Sequence, residues 1–300
     1  MIKHFDEMKT KLEAGPIKRV AVAASDDAHT LEAVMRASTD GIVEPILLGD
    51  KKETENILEK MGCNYNALRI DDIKEPRKCA EAAVRMAKDG EVDCIMKGRI
   101  DTNILMRMML DRDIGIRKRE LLSGFGLFET QYYHKMFAIT DLSLNLYPTL
   151  EQKKTILENA LDVFHALGIE RPKVAVIAAV ENANPKMPET LEAESLAKMA
   201  DTGELTGCEI AGPISVDLAL NPKSAIVKRY TNPVAGDADI LLAPNITAGN
   251  IAAKIIESAA GARSCGMIIG AKVPIIVLSR AASADDKYMS IILSALIGAN

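Results

Sequence analysis

The sequence predicts an α/β protein of two domains, built from mostly parallel sheets with flanking helices. Three observations carry that prediction. Short apolar runs alternate with helix-patterned segments along most of the chain, the rhythm of a parallel sheet with crossover helices. Capping residues (Ser25-Asp26-Asp27, Asp101-Thr102-Asn103, Ser283) stand where strands give way to helices. The rhythm breaks once, over residues 121–149, and a second alternating series follows.

In order, residues 5–15 pattern as an amphipathic helix stopped near Gly15-Pro16. Residues 19–24 read as a strand, followed by a helix to about Ser38. Residues 43–48 and 51–61 repeat the pair. Residues 68–70 form a short strand, 76–88 a helix with its Ala, Val and Met inward, 92–96 a strand, and a Met- and Leu-rich helix runs to Leu110. Residues 121–128 and 135–140 read as antiparallel neighbours around a turn near Tyr132 to His134. A polar stretch at 141–146 precedes a long helix from Thr149 to about Leu167. Then come strand 173–179, helix 188–202, an extended segment 212–217, and strand 239–243 feeding a helix. The apolar run 273–278 reads as a buried strand of the parallel sheet, and 286–298 as an apolar helix entered through Ser283. The domains are drawn as residues 1–142 plus 266–300 and residues 143–265, the last segment returning to the first lobe.

Composition narrows the function. The 300 residues are 48% hydrophobic and 26% charged, which supports a large buried core. Aromatics make up 4% with no Trp, and the net charge is -5. Both argue against a nucleic-acid partner, which needs stacking platforms or basic patches. No run supplies the roughly 20 apolar residues of a membrane span, and the first residues carry no signal pattern. The five cysteines are odd in number, widely spaced and never in a C-x-x-C pair. They read as reduced thiols of a cytoplasmic protein, without a disulfide framework or structural zinc.

Parallel sheets bind ligands beyond the carboxyl ends of their strands. Ser279, Arg280, Asp285 and Asp286 follow such a strand; the plainer reading is a strand end before an acid-capped helix. Lys97-Gly98-Arg99 also leaves a strand, and two cations around a glycine suit a phosphate or pyrophosphate; the alternative is solvated charge at a turn. Asn245, Thr247, Gly249 and Asn250 open a helix whose free N–H groups favour an anion, against ordinary capping by Thr247 or Asn250. Ser123-Gly124-Phe125-Gly126 lacks the third glycine of a dinucleotide fingerprint, since position 129 is Glu; its glycines suit close packing, and Ser123 stands as a candidate substrate contact. Asp237 and Asp239 have no companions at metal-ligand spacing, so no metal is expected. Cys94 and Cys265 have no His beside them and read as inert.

With Lys97-Gly98, the run from Asn245 to Asn250, the run from Gly212 to Asp217 and Ser279-Arg280 in hand, the sequence resembles the phosphate acetyl/butyryl transferase family, nearer its butyryl-type members. The resemblance covers nearly the whole chain and is densest after residue 210. It implies reversible transfer of an acyl group between coenzyme A and inorganic phosphate, both as substrates, with no cofactor or metal. It also implies the two-domain fold of the isocitrate/isopropylmalate dehydrogenase group, a site in the interdomain cleft, and a homo-oligomer. In its terms Arg280 holds phosphate, Ser279 serves the oxyanion, and Asp285 or Asp286 takes the thiol proton. Acetyl-type members place the acid six positions after the arginine, at Asp286; butyryl-type members place a Glu five positions after it, at Asp285. Arg99 replaces an apolar residue of the butyryl-type relatives. The competing readings are a phosphate acetyltransferase, a nicotinamide- and metal-dependent hydroxy-acid dehydrogenase on the same fold, and a non-catalytic acyl-CoA binding protein.

Overall fold

The computed structural model describes residues 2–12, 15–279 and 282–298. Arg280 lies outside the described residues. The chain makes two compact units. The terminal unit holds Asp6–Glu120 and the chain from Cys265 onward; the central unit holds Leu121–Ser264 with the N-terminal residues up to Phe5.

Helix α1 (Phe5–Leu12) has acids in its first turn and lysines in its last, complementing the helix dipole. Strand β1 (Lys18–Ala23) is buried from Val20 onward and leads into α2 (Ala28–Thr39), where Asp27 caps by accepting the Thr30 N–H. β2 (Val43–Gly49) and α3 (Lys51–Lys60) repeat the unit with Asp50 as cap. β3 (Arg69–Asp72) is followed by α4 (Pro76–Lys88), which starts on a proline whose missing N–H has no helical partner to lose. β4 (Cys94–Lys97) and α5 (Thr102–Met109), capped by Asp101, end this series. Next come β5 (Ser123–Glu129) and β6 (Phe137–Thr140). A capping box of Thr149 and Gln152 opens α6 (Leu150–Ala166). β7 (Lys173–Ile177), α7 (Pro188–Asp201), β8 (Glu209–Ile214), the short α8 (Val216–Leu220) and α9 (Pro222–Val227), β9 (Ile240–Leu242) and α10 (Ile246–Ala260) follow. Gly261 closes α10 at φ 59°, in the left-handed region that glycine enters freely. β10 (Arg263–Ile269), β11 (Ile275–Ile276) and α11 (Ala284–Ile297) complete the chain.

In the terminal unit the strand order is β3-β2-β1-β4-β11-β10. All pairs are parallel except β10 with β11. In the central unit the order is β5-β6-β9-β7-β8, and only β5–β6 is antiparallel, as the sequence pattern predicts. α11 is buried almost all round and packs on α2. There Tyr288 hydroxyl donates to Asp40, and the Arg36 guanidinium lies 3.9 Å from the Tyr288 ring centre. Among the described residues no helix is long and apolar enough to cross a membrane.

Two expectations need correction. The run 273–278 is strand only at Ile275–Ile276. Pro274 has no N–H to give to a ladder; its carbonyl accepts from Ile95 at 3.2 Å, and beyond Ile276 the chain leaves the sheet. Apolarity reported burial, not pairing. The extended reading of 212–217 also ends early, since α8 begins at Val216 with Asp217 in its first turn.

Asp237 and Asp239 are spoken for by cations. Lys173 Nζ donates to Asp237 at 2.6 Å, Lys135 Nζ to Asp239 at 2.6 Å, and His134 Nε2 lies 2.8 Å from Asp237. Burial would raise the Asp237 carboxyl, but the hydrogen bonds from Lys173, Lys135 and His134 outweigh it and hold it far below the usual range. A depressed carboxyl contributes stability above its unfolded value and loses it as pH falls toward the folded one. Acid unfolding of Asp237→Asn is therefore expected to follow a flatter pH dependence below about pH 4. Denaturant midpoints measured down the acid limb check this, and parallel curves for variant and parent would refute it.

Candidate active site

The carboxyl ends of β1 and β4 are stitched together. Ala24, just past β1, sits at φ 58°, a conformation costing a non-glycine residue roughly 1–2 kcal/mol. Its carbonyl accepts the Arg99 N–H at 2.7 Å, and the Ala23 carbonyl accepts the Gly98 N–H at 2.9 Å. A Cβ on Gly98 would overlap the Ala24 carbonyl, so glycine is needed for this approach. The stitch holds Lys97 and Arg99 on the rim of a cavity of about 480 Å3. Its polar side chains are Asp27, Thr30, Lys97, Arg99, Asp101, Ser279 and Lys287, and Met96, Ile100, Ile276 and Leu278 supply apolar wall. The structure thus brings together Lys97, Arg99 and Ser279. Arg99 is largely exposed and lies 3.7 Å from Asp26.

Ser279 is followed in sequence by Arg280, and then by α11. A capping box opens that helix: Ser283 Oγ accepts the Asp286 N–H at 3.0 Å, and Asp286 Oδ2 accepts from the Ser283 N–H at 3.0 Å. The two adjacent acids are thereby separated in character. Asp286 is half-buried, with Oδ2 in the cap and no hydrogen-bond partner for Oδ1 among the described residues. Asp285 is 79% exposed and ion-paired with Arg36. Neither carboxylate is part of the cavity wall.

The other predicted residues lie in the central unit, around a buried carboxylate the sequence reading passed over. Asp141 Oδ1 accepts the N–H groups of Gly124, Ser143 and Leu144 at 3.0, 2.8 and 3.1 Å, and Oδ2 accepts that of Asn145 at 3.1 Å. Gly249 packs so close to the Asp141 carbonyl that a Cβ would overlap it. Asn250 donates to the Leu142 carbonyl at 3.1 Å. The N-cap of α10 is Asn245, which accepts the Ala248 N–H, rather than Thr247 or Asn250; Thr247 and Asn250 are exposed. Ser123 is wholly buried, its hydroxyl accepting from Asn159 at 3.1 Å. Gly124 and Gly126 do serve close packing, against Ser143 and Leu142.

Lys287 is the functional candidate that sequence reading missed. A lysine in a helix turn reads as solvated, yet here it is buried and lines the cavity. Its one signal is its setting, a lone cation in an otherwise apolar helix after two acids. The five cysteines are not joined in disulfides, and four of them are buried. Burial pushes the Cys208 thiol up to about 11 and raises Cys94 further, which suppresses their thiolates. Among the described residues no group of three His, Cys, Asp or Glu is arranged to hold a metal ion.

A sequence model of the family described as phosphate acetyl/butaryl transferase matches residues 77–295. The chain is 40% identical over 300 residues to a phosphate butyryltransferase of Clostridium acetobutylicum, with all of both chains covered. It is 38% identical over 292 residues to a phosphate acetyltransferase of Thermotoga maritima, covering 97% of this chain and 99% of the relative. The crystal structure of a branched-chain phosphotransacylase from Enterococcus faecalis V583 superposes with a TM-score of 0.85 at 28% identity, covering 94% of this chain and 99% of that one.

Proposed function

The chain belongs to the phosphate acetyl/butyryl transferase family, and from that premise we propose that it moves a short-chain, butyryl-like acyl group from coenzyme A to phosphate. The reaction is reversible and gives an acyl phosphate and free coenzyme A. The observation that carries the site assignment is the cavity that gathers Lys97, Ser279 and Lys287 at the carboxyl ends of β4 and β11. Cations and a hydroxyl there match a reaction whose partners are anionic and whose transition state gathers charge on a carbonyl oxygen.

Toward free coenzyme A, phosphate attacks the thioester carbonyl and the thiolate leaves; in reverse, the thiol must lose its proton before attack. A thiol with a pKa of about 8.5 is only slightly ionised at neutral pH, so a positioned base matters. Asp286 fills that role better than Asp285. Its half-burial and uncommitted Oδ1 support this, whereas Asp285 is exposed and paired with Arg36. Ser279 donates to the developing oxyanion, an interaction whose loss costs about 3 kcal/mol. Arg280, which follows it in the chain, neutralises the phosphoryl group, with Lys97 and Arg99 as further cations. Within the central unit, Asn245, Thr247, Gly249 and Asn250 at the start of α10 stand as candidate substrate contacts. An acyl thioester is already activated, so the scheme needs no cofactor or metal. The dehydrogenase-like arrangement of two domains, a homo-oligomer and a cytoplasmic setting complete the proposal.

The test is a thiol-release assay. Butyryl-CoA incubated with the protein should release free thiol only when inorganic phosphate is present, and faster than acetyl-CoA. Release that ignores phosphate would sink the transferase reading. A clear preference for acetyl-CoA would move the chain to the acetyl side of its family.

A further inference from the structure

Lys287 occupies an unfavourable place. It lies in the opening turn of α11, where the helix dipole disfavours a cation. The side chain is nine-tenths buried, at 10% exposure, and burying an ammonium is costly unless it is well paired. Its pairing is loose. Among the described residues Nζ reaches Asp27 Oδ1 at 3.4 Å and Thr30 Oγ1 at 3.5 Å, whereas strong charge-assisted bonds close to about 2.7–2.9 Å.

The looseness has a cause in α2. Asp27 Oδ1 already accepts the Thr30 N–H at 2.8 Å as the helix cap, so the carboxylate cannot swing toward the lysine without giving up the cap. Burial would raise the Asp27 carboxyl, but the Thr30 hydrogen bonds and the Lys287 charge bring it below its ordinary value. It therefore stays an anion, fixed in place and slightly too far away. Lys287, whose ammonium carries three donors, lines the cavity that Lys97 and Ser279 also line.

We propose that Lys287 is a phosphate-binding residue, donating to the phosphoryl oxygens of inorganic phosphate or acyl phosphate, with Asp27 and Thr30 as its positioning residues. This rests on the acyl-transfer reading of the site. A small anion completes the coordination that Asp27 and Thr30 leave open. The exposed Arg99, by contrast, stands at the rim, where it meets solvent.

The test uses the full chain and three variants: Lys287→Gln, Lys287→Arg, and Asp27→Asn combined with Lys287→Gln. Lys287→Gln is expected to raise the phosphate KM roughly 10- to 100-fold, the range for losing a charged hydrogen bond, with the acyl-CoA KM unchanged. Lys287→Arg should recover most of the loss. Isothermal titration with inorganic phosphate alone should show the same weakening. The double variant removes the carboxylate left unpaired, so its thermal stability should recover while the phosphate KM stays high. An unchanged phosphate KM in Lys287→Gln, a KM restored in the double variant, or an effect falling on acyl-CoA instead would overturn the proposal. A parent protein that binds phosphate through Lys287 but transfers no acyl group from any acyl-CoA would leave this inference standing and remove the function above.

Discussion

Asp286→Asn is expected to lower kcat about 10²- to 10⁴-fold, the span attributed to a lost general base, while Asp285→Asn stays near the parent. The asparagine retains an oxygen acceptor for the Ser283 N–H and hydroxyl, so the cap at the start of α11 survives and the change isolates proton transfer. Alanine would confound the result, because losing a cap costs about 0.5–2 kcal/mol by itself. The partner of Asp285 is Arg36 on an exposed surface, and such pairs contribute about 0–1 kcal/mol. Steady-state rates beside melting temperatures check both claims. Equal mild losses would remove the single-carboxylate base, and a large loss at Asp285 alone would transfer the role to it.

Asp141→Ala is expected to destabilise the central unit by at least about 3 kcal/mol. Four backbone N–H groups, of Gly124, Ser143, Leu144 and Asn145, converge on this one buried carboxylate. Each donor left buried without a partner costs about 1–3 kcal/mol. Asn145 also donates its side-chain amide to Asp141 and to the Leu122 carbonyl at 2.9 Å, so the loss spreads to the start of β5. Asp141→Asn keeps one acceptor oxygen and should fall between parent and alanine. Urea unfolding followed by circular dichroism measures the difference. A shift below about 1 kcal/mol would mean that water enters and satisfies the donors.

Sequence reading succeeded where a local pattern and the tertiary structure demand the same thing. The run in β1 is apolar because parallel strands are covered on both faces, and the caps of α2 and α11, Asp27 and Ser283, are there because helix starts need acceptors. It failed where one residue type serves two environments. Val273 to Leu278 is apolar whether it pairs or merely packs, so only the structure could limit β11 to Ile275–Ile276. Lys287 looks like any solvated lysine until α2 is laid beside it. Asp141 sat in a stretch read as polar and small, and nothing local announces that Gly124, seventeen positions upstream, donates to it. The family resemblance rested on ordered motifs and survives comparison with full-length relatives. Individual roles did not come with it, because Asp285 and Asp286 differ by which partner each meets.

The terminal unit is discontinuous in sequence: β4 is the last strand of its first stretch, which ends at Glu120, and most of β10 and all of β11 and α11 arrive only after residue 264. During synthesis this imposes an order. A nascent chain can pair β3, β2, β1 and β4 early, but the far edge of β4 must wait for β11, and the apolar side of α2 for α11. An open strand edge is a template for pairing with another chain. Closing the long intervening loop costs only slowly more with length, so the wait is set by translation rather than by entropy. A copy cut short before residue 265 would keep that edge open to other chains, and it would lack Ser279, Asp286 and Lys287, on which the proposed chemistry depends.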